Sequence, residues 1–178
     1  MQRRSLSLIV SLFGASFALG AAIPAAAAET VHAKLTGYEE VPVLATAATG
    51  DLRLRIHGSD NEIDYSLSYE GLEGDVRQAH IHFGQAGVAA GISVWLCGTA
   101  LNPGPAGTPA CPASGGSVSG TLTAANVVGP AAQLLAAGDM EELIRAIRAG
   151  VAYGNVHSSV ATGGEIRGQL RSSGRRRE

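Results

Sequence analysis

Two short segments hold the residues best suited to chemistry, Ala79-His80-Ile81-His82-Phe83-Gly84 and Gly154-Asn155-Val156-His157. Side chains on an extended chain alternate between faces, so His80 and His82 share one side while Ala79, Ile81 and Phe83 share the other. The apolar trio is the natural core face, which sends both imidazoles to the opposite, outer surface. The same alternation turns Val156 inward and His157 outward, with Tyr153 and Asn155 beside it to orient its ring. Histidines at i and i+2 converge on one ion, and a third from a neighbouring strand completes a three-nitrogen site. Imidazole suits copper, zinc or nickel, so the ligand type alone does not choose the metal. The competing reading keeps the same three residues as hydrogen-bonded histidines of a scaffold. His32 and His57, single histidines beside Lys34 and Arg55, read as solvated polar-face residues.

The other reactive side chains offer less. No Ser, Cys or paired carboxylate stands at a recognisable catalytic spacing from a histidine, which argues for a non-catalytic module. Cys97 and Cys111 bracket Gly98 to Ala110, a loop by its Gly and Pro content. They read as a disulfide, since two thiolate ligands would need a nearby His or a second Cys pair. Gly84, Gly87 and Gly91 mark a loop needing positive φ or close approach, and no helix follows to make a phosphate cradle. Trp95 alternates out of the set Ile92, Val94 and Leu96 and reads as an exposed contact or as packing against a helix. Glu39 and Glu40 offer oxygen ligands or simply a charged turn, and Glu165 with Arg167 reads as a solvated salt bridge.

Composition narrows the class. The chain has 178 residues, room for one ordinary domain, and charged residues make up 16% of it. The 13 basic residues are outnumbered by 15 acidic ones, and Arg3 and Arg4 fall in the leader. No basic face remains for nucleic acid outside the last few residues. Recurrent apolar β-formers with small net charge also exclude a natively unfolded chain.

Residues 1–28 read as a cleaved signal peptide, with a positive start at Arg3-Arg4, an apolar run from Leu6 to Ala22 and Ala26-Ala27-Ala28 before the cut. Arg3-Arg4-Ser5-Leu6 is similar to a twin-arginine export signal, a pattern that ordinary leaders share. The expected location is secreted or periplasmic, without a stable membrane span after cleavage, in a compartment that permits the disulfide.

The elements that position the histidines are strands. Val31–Leu35, Leu52–His57 and Ile63–Tyr69 alternate with period two, and Gly58-Ser59-Asp60-Asn61 makes the last two a hairpin. Further strands are expected at Gln78–Phe83, Ile92–Leu96, Val118–Leu122, Val151–His157 and Glu165–Leu170. Such short strands between Gly-rich turns predict an all-β antiparallel sandwich or barrel. One helix interrupts them: Asp139 caps it, Leu143, Ile144 and Ile147 form its stripe, and Gly150 ends it. Pro130 to Ala137 adds a preceding helical turn. Residues 29–170 form the domain, and 171–178 form a basic flexible tail.

Taken in order, these motifs resemble the CHRD domain, a module repeated in chordin and found singly in exported bacterial proteins. The resemblance is carried by Leu35-Thr36-Gly37-Tyr38-Glu39-Glu40-Val41-Pro42, Ala79-His80-Ile81-His82, Gly120-Thr121-Leu122-Thr123, Ala149 to Ser158 and Gly164 to Leu170. It implies an immunoglobulin-like Greek-key β-sandwich or barrel with limited similarity to copper/zinc superoxide dismutases, and no settled activity. The dismutase pattern of His-x-His followed by Gly is matched by His80-Ile81-His82-Phe83-Gly84. The spaced ligands of a second metal have no match between Phe83 and Leu122, and the arginine segment that guides superoxide is not evident. Three functions follow as expectations: an exported binding or structural module with a protein partner, a mononuclear copper or zinc site at His80, His82 and His157, and a copper dismutase-like enzyme.

Overall fold

Period-two patterning governs most of this chain, and the strands follow it. The computed structural model describes residues 28–58 and 62–173. Nine strands appear in the order β1 (Glu29–Thr36), β2 (Thr49–Ile56), β3 (Ile63–Glu70), β4 (Val76–Phe83), β5 (Ile92–Gly98), β6 (Gly116–Leu122), β7 (Ala152–Ser158), β8 (Ile166–Gln169) and β9 (Arg171–Ser172). The single α-helix among the described residues, α1 (Met140–Ala149), stands between β6 and β7, and a 3-10 turn at Ala131–Gln133 occupies the segment expected to turn before it. The expected leader, apart from Ala28, lies outside the described residues, as do Ser59 to Asn61 of the hairpin turn and Gly174 to Glu178 of the tail.

Alternation decides what the barrel encloses. Val31, Ala33 and Leu35 of β1, Leu52, Leu54 and Ile56 of β2, and Ile63, Tyr65, Leu67 and Tyr69 of β3 are all buried. Antiparallel pairing sets Leu54 opposite both Val31 and Tyr65, and Leu52 opposite both Ala33 and Leu67. Burying a large apolar side chain contributes about 1.5–3 kcal/mol. A one-residue slip would turn the whole set to solvent, so the register is strongly specified.

The strands form one antiparallel array in the order β5-β4-β7-β8-β1-β2-β3-β6. Sequential hairpins at β2–β3 and β4–β5 are joined by over-and-back connections that pair β3 with β6 and β4 with β7, a Greek-key arrangement. β5 and β6 end the order without pairing to each other. Across that seam the Tyr65 hydroxyl donates to the Leu96 carbonyl at 2.6 Å. The result is the expected all-β class, a nearly closed barrel with one short helix.

The helix forms as its ends dictate. Asp139 Oδ1 accepts from the Glu142 amide at 3.0 Å, and Gly150 closes the last turn at φ 75°. Met140, Leu143, Ile144, Ala146 and Ile147 are its buried face. The tail expectation needs correcting, because Arg171 and Ser172 are strand rather than frayed end. They pair with His32 and Val31 of β1, and the Ser173 amide donates to the Thr30 carbonyl at 3.1 Å. Beyond Thr36, which pairs with Arg167, the edge of β1 would otherwise be left without a ladder partner, and an extended continuation of β8 supplies one.

Cys97 of β5 and Cys111 are joined as a disulfide, with Cα atoms 4.9 Å apart and a sequence separation of 14. Replacing both by Ala should lower unfolding free energy by about 3 kcal/mol, the chain-entropy value for a loop of about 15 residues. Denaturant titration of the variant beside the wild type checks this. An unchanged midpoint would mean that the Gly98 amide bond to Pro109 and the Cys111 amide bond to Gly98 hold the loop without the cross-link.

Candidate metal centre

β4 and β7 lie side by side, with Gln78 opposite His157, His80 opposite Asn155 and His82 opposite Tyr153. Ala79, Ile81 and Val156 project into the core, so the three histidines share the other face, as their alternation requires. The expected solvent exposure is wrong, however. His80 is fully buried, and His82 and His157 are 6% exposed. The connections after β1, β4 and β7 fold back over this face and bond to it. The Ala90 carbonyl takes the His82 Nδ1–H at 2.9 Å, and the Thr162 carbonyl takes the His157 Nδ1–H at 3.0 Å. Glu40 and Thr46 accept from and donate to Asn155 and Glu165 respectively. A polar outer face becomes a second, roofed interior.

Those carbonyl bonds settle the tautomers. A carbonyl only accepts, so Nδ1 carries the proton in His82 and His157, leaving a lone pair on Nε2 of each neutral ring. His80 Nδ1 lies 3.1 Å from His157 Nε2, and must donate to it. His80 Nε2 and His82 Nε2 are then buried acceptors without any partner. One nitrogen from each ring lies within 4.8 Å of one from each of the others, and this is the one such cluster of metal-ligating groups among the described residues. The 3.1 Å contact is close to the roughly 3.3 Å separating two nitrogens on a tetrahedral ion at 2.0–2.1 Å, so an ion could take the place of the bridging proton once that proton has moved to His80 Nε2. The donor set fits a three-imidazole metal site. Both cysteines are consumed by the disulfide, so neither is a ligand.

The surrounding residues depart from their expected places. Tyr153 stacks on His82, with ring centroids 4.8 Å apart and planes within 5°, rather than orienting His157. Thr162 does that, through a backbone carbonyl that no residue pattern announces. Asn155 donates to Glu40 at 2.6 Å and to the Ile166 carbonyl at 3.1 Å. Glu165 and Arg167 are both buried instead of forming a solvated bridge. Glu165 accepts from Thr46 and the Glu73 amide, while Arg167 lies 3.4 Å over the Tyr153 ring and donates to the Gln85 carbonyl. Trp95 is half-buried and sits edge-on to His80, with ring centroids 4.3 Å apart. Register shifts in the β4–β5 pairing place it opposite His80, which simple alternation misses. The disulfide loop covers it, and at Gly104 a Cβ would fall 2.7 Å from Trp95 Cε3. His32 is exposed as expected, whereas His57 is tied to Asp64 at 2.7 Å.

Burial sets the charge of the centre. It pushes His80 down to about 2, helped by the neighbouring His157 and His82, and His82 down to about 4 against the opposing Ala90 bond. His157 is lowered by burial too. Glu40 moves the other way, raised to about 7 by burial despite its bond to Asn155. Below pH 6.5 the unfolded imidazoles therefore take up protons that the folded ones refuse, and the unfolded state gains. Glu40 has the opposite effect as pH falls from 7 to 4.5, one group against three. Metal-free protein should accordingly show a lower denaturant midpoint at pH 5 than at pH 7. Equal midpoints would mean that the imidazoles protonate in place.

The model of the CHRD domain matches residues 31–170, from the first strand through the end of β8 and including all three histidines. Searches of the curated proteins and of the solved structures return no match. The matched span covers most of the chain and the paired array apart from β9 and the first two residues of β1, and the chain belongs to the CHRD domain family.

Proposed function

We propose that this CHRD domain is a mononuclear metal-binding module that holds copper or zinc through His80, His82 and His157. One observation carries the reading: three neutral imidazoles converge in a buried space where two ring nitrogens have no hydrogen-bond partner. An unpartnered buried acceptor costs about 1–3 kcal/mol, and an ion held by the three rings would remove that cost at His82 Nε2. Two of the rings are oriented by backbone carbonyls on their far nitrogens, the arrangement that raises ligand basicity and fixes ring direction in metal sites. Residence outside the cytoplasm is supported by the leader-like start and by the disulfide.

A second reading, a protein-binding module, draws on Tyr38 and Val43, which are 76% and 61% exposed on the connection that roofs the centre. Capture of a partner that persists in chelator would favour it.

The titration that tests the metal reading uses the mature protein and Cu(II) or Zn(II). About one equivalent should bind, and Cu(II) should quench Trp95, the only tryptophan, because it lies against His80. His80→Ala should weaken binding by about 10-fold or more. Unchanged stoichiometry and affinity in a His80→Ala/His82→Ala variant would reject the site.

A further inference from the structure

Tyr153 touches His82 twice, once directly and once through the backbone of another loop. Its ring stacks parallel to the imidazole at 4.8 Å. Its hydroxyl accepts from the Ala90 amide at 3.1 Å, and the carbonyl of the same residue, Ala90, accepts the His82 Nδ1–H at 2.9 Å. Tyr153 therefore contacts both the face of the His82 ring and the residue whose carbonyl dictates its tautomer. The tyrosine is itself held. The Arg167 guanidinium lies 3.4 Å over its ring, in cation–π contact, and also donates to Gln85 in the loop that carries Ala90. That loop is closed at its neck by the Phe83 amide bonding to the Gly91 carbonyl, and by Gln133, which donates to Phe83 and accepts from Gly91.

We infer that Tyr153 is a positioning residue of the metal centre, clasping Ala90 so that His82 keeps its proton on Nδ1 and presents Nε2 to the ion. The inference rests on the metal-binding reading for its purpose, but its geometry stands in the metal-free protein. If the hydroxyl is removed, the Ala90 amide loses its acceptor, the loop carbonyl is freed from His82, and the ring can exchange tautomers. If the ring is removed as well, the imidazole also loses the surface that fixes its plane.

The test reads the His82 ring itself. Nitrogen-15 NMR of the metal-free wild type at pH 7 should show His82 as a single Nδ1–H tautomer, and an Nε2–H form there would overturn the inference without any variant. Tyr153→Phe should give a mixture of both tautomers and weaken Zn(II) or Cu(II) binding by about 10-fold, and Tyr153→Leu by up to about 100-fold, the range for loss of a group that supports a ligand. Because Tyr153→Phe keeps the stacked ring, a general packing role would leave the His82 tautomer and the affinity unchanged in that variant, and such a result would also overturn the inference. A wild type that binds neither metal, yet whose His82 tautomer still shifts in Tyr153→Phe, would remove the metal reading and leave the clasp in place.

Discussion

Neutral imidazoles packed together in a buried cluster must each account for two ring nitrogens, one a donor and one an acceptor. His82 and His157 each dispose of a proton on a backbone carbonyl, and His80 disposes of its own on His157. Three donors are satisfied, and of the three acceptors only one has a partner. Protonating the remaining two would put charge into a space that already disfavours it, since each ring is buried and His80 stands beside two others. The cluster thus keeps two lone pairs without a hydrogen-bond donor, which is what supports the metal-binding proposal. A scaffold that needed only packing here would meet its needs more cheaply with apolar side chains on the same strands.

The barrel meets this constraint by giving β4 and β7 two buried faces. One is the ordinary core, where Ala79, Ile81 and Val156 meet the apolar residues of the other strands. The other is polar and is enclosed by loops rather than by a second sheet. Every roof contact involves a backbone group or a side chain already committed elsewhere: Ala90 to Tyr153 and His82, Glu40 to Asn155, Gln85 to Arg167, Gly84 to Gln169. Loops fixed this way exclude solvent without contributing much apolar area.

Most of the barrel was legible because alternation reports the core directly. The strands at Leu52–His57 and Ile63–Tyr69, their hairpin, the capped helix and the cysteine pair all followed from local chemistry acting over a few residues. The same rule assigned His80, His82 and His157 to one face and so identified the cluster. It failed where alternation was broken or where distant chain returned. The shifted register between β4 and β5 brought Trp95 onto His80, and no residue type near Trp95 signals such a shift. Burial of Glu165 and Arg167 depends on Thr46, Glu73 and Gln85, residues 82 to 119 positions away. The carbonyls of Ala90 and Thr162 carry no side-chain signature, so the groups that fix two of the three rings were invisible by type.

Separation of the two interiors has a mechanical consequence. Ala79 and Ile81 are fully buried on the face of β4 opposite the histidines, so substituting a histidine does not itself remove a core side chain. Disturbance at the centre is passed instead to the roof, through Ala90 and Thr162, whose carbonyls would lose their donors. Conversely, an ion held by all three rings would steady the roof through the same two bonds, because a ring fixed at one nitrogen fixes the direction of the proton on the other. The barrel's stability and the order of its covering loops are therefore set by different contacts. Apolar burial holds the first, and the imidazole bonds to Ala90 and Thr162, with the contacts of Tyr153, Asn155, Arg167 and Gln169, hold the second.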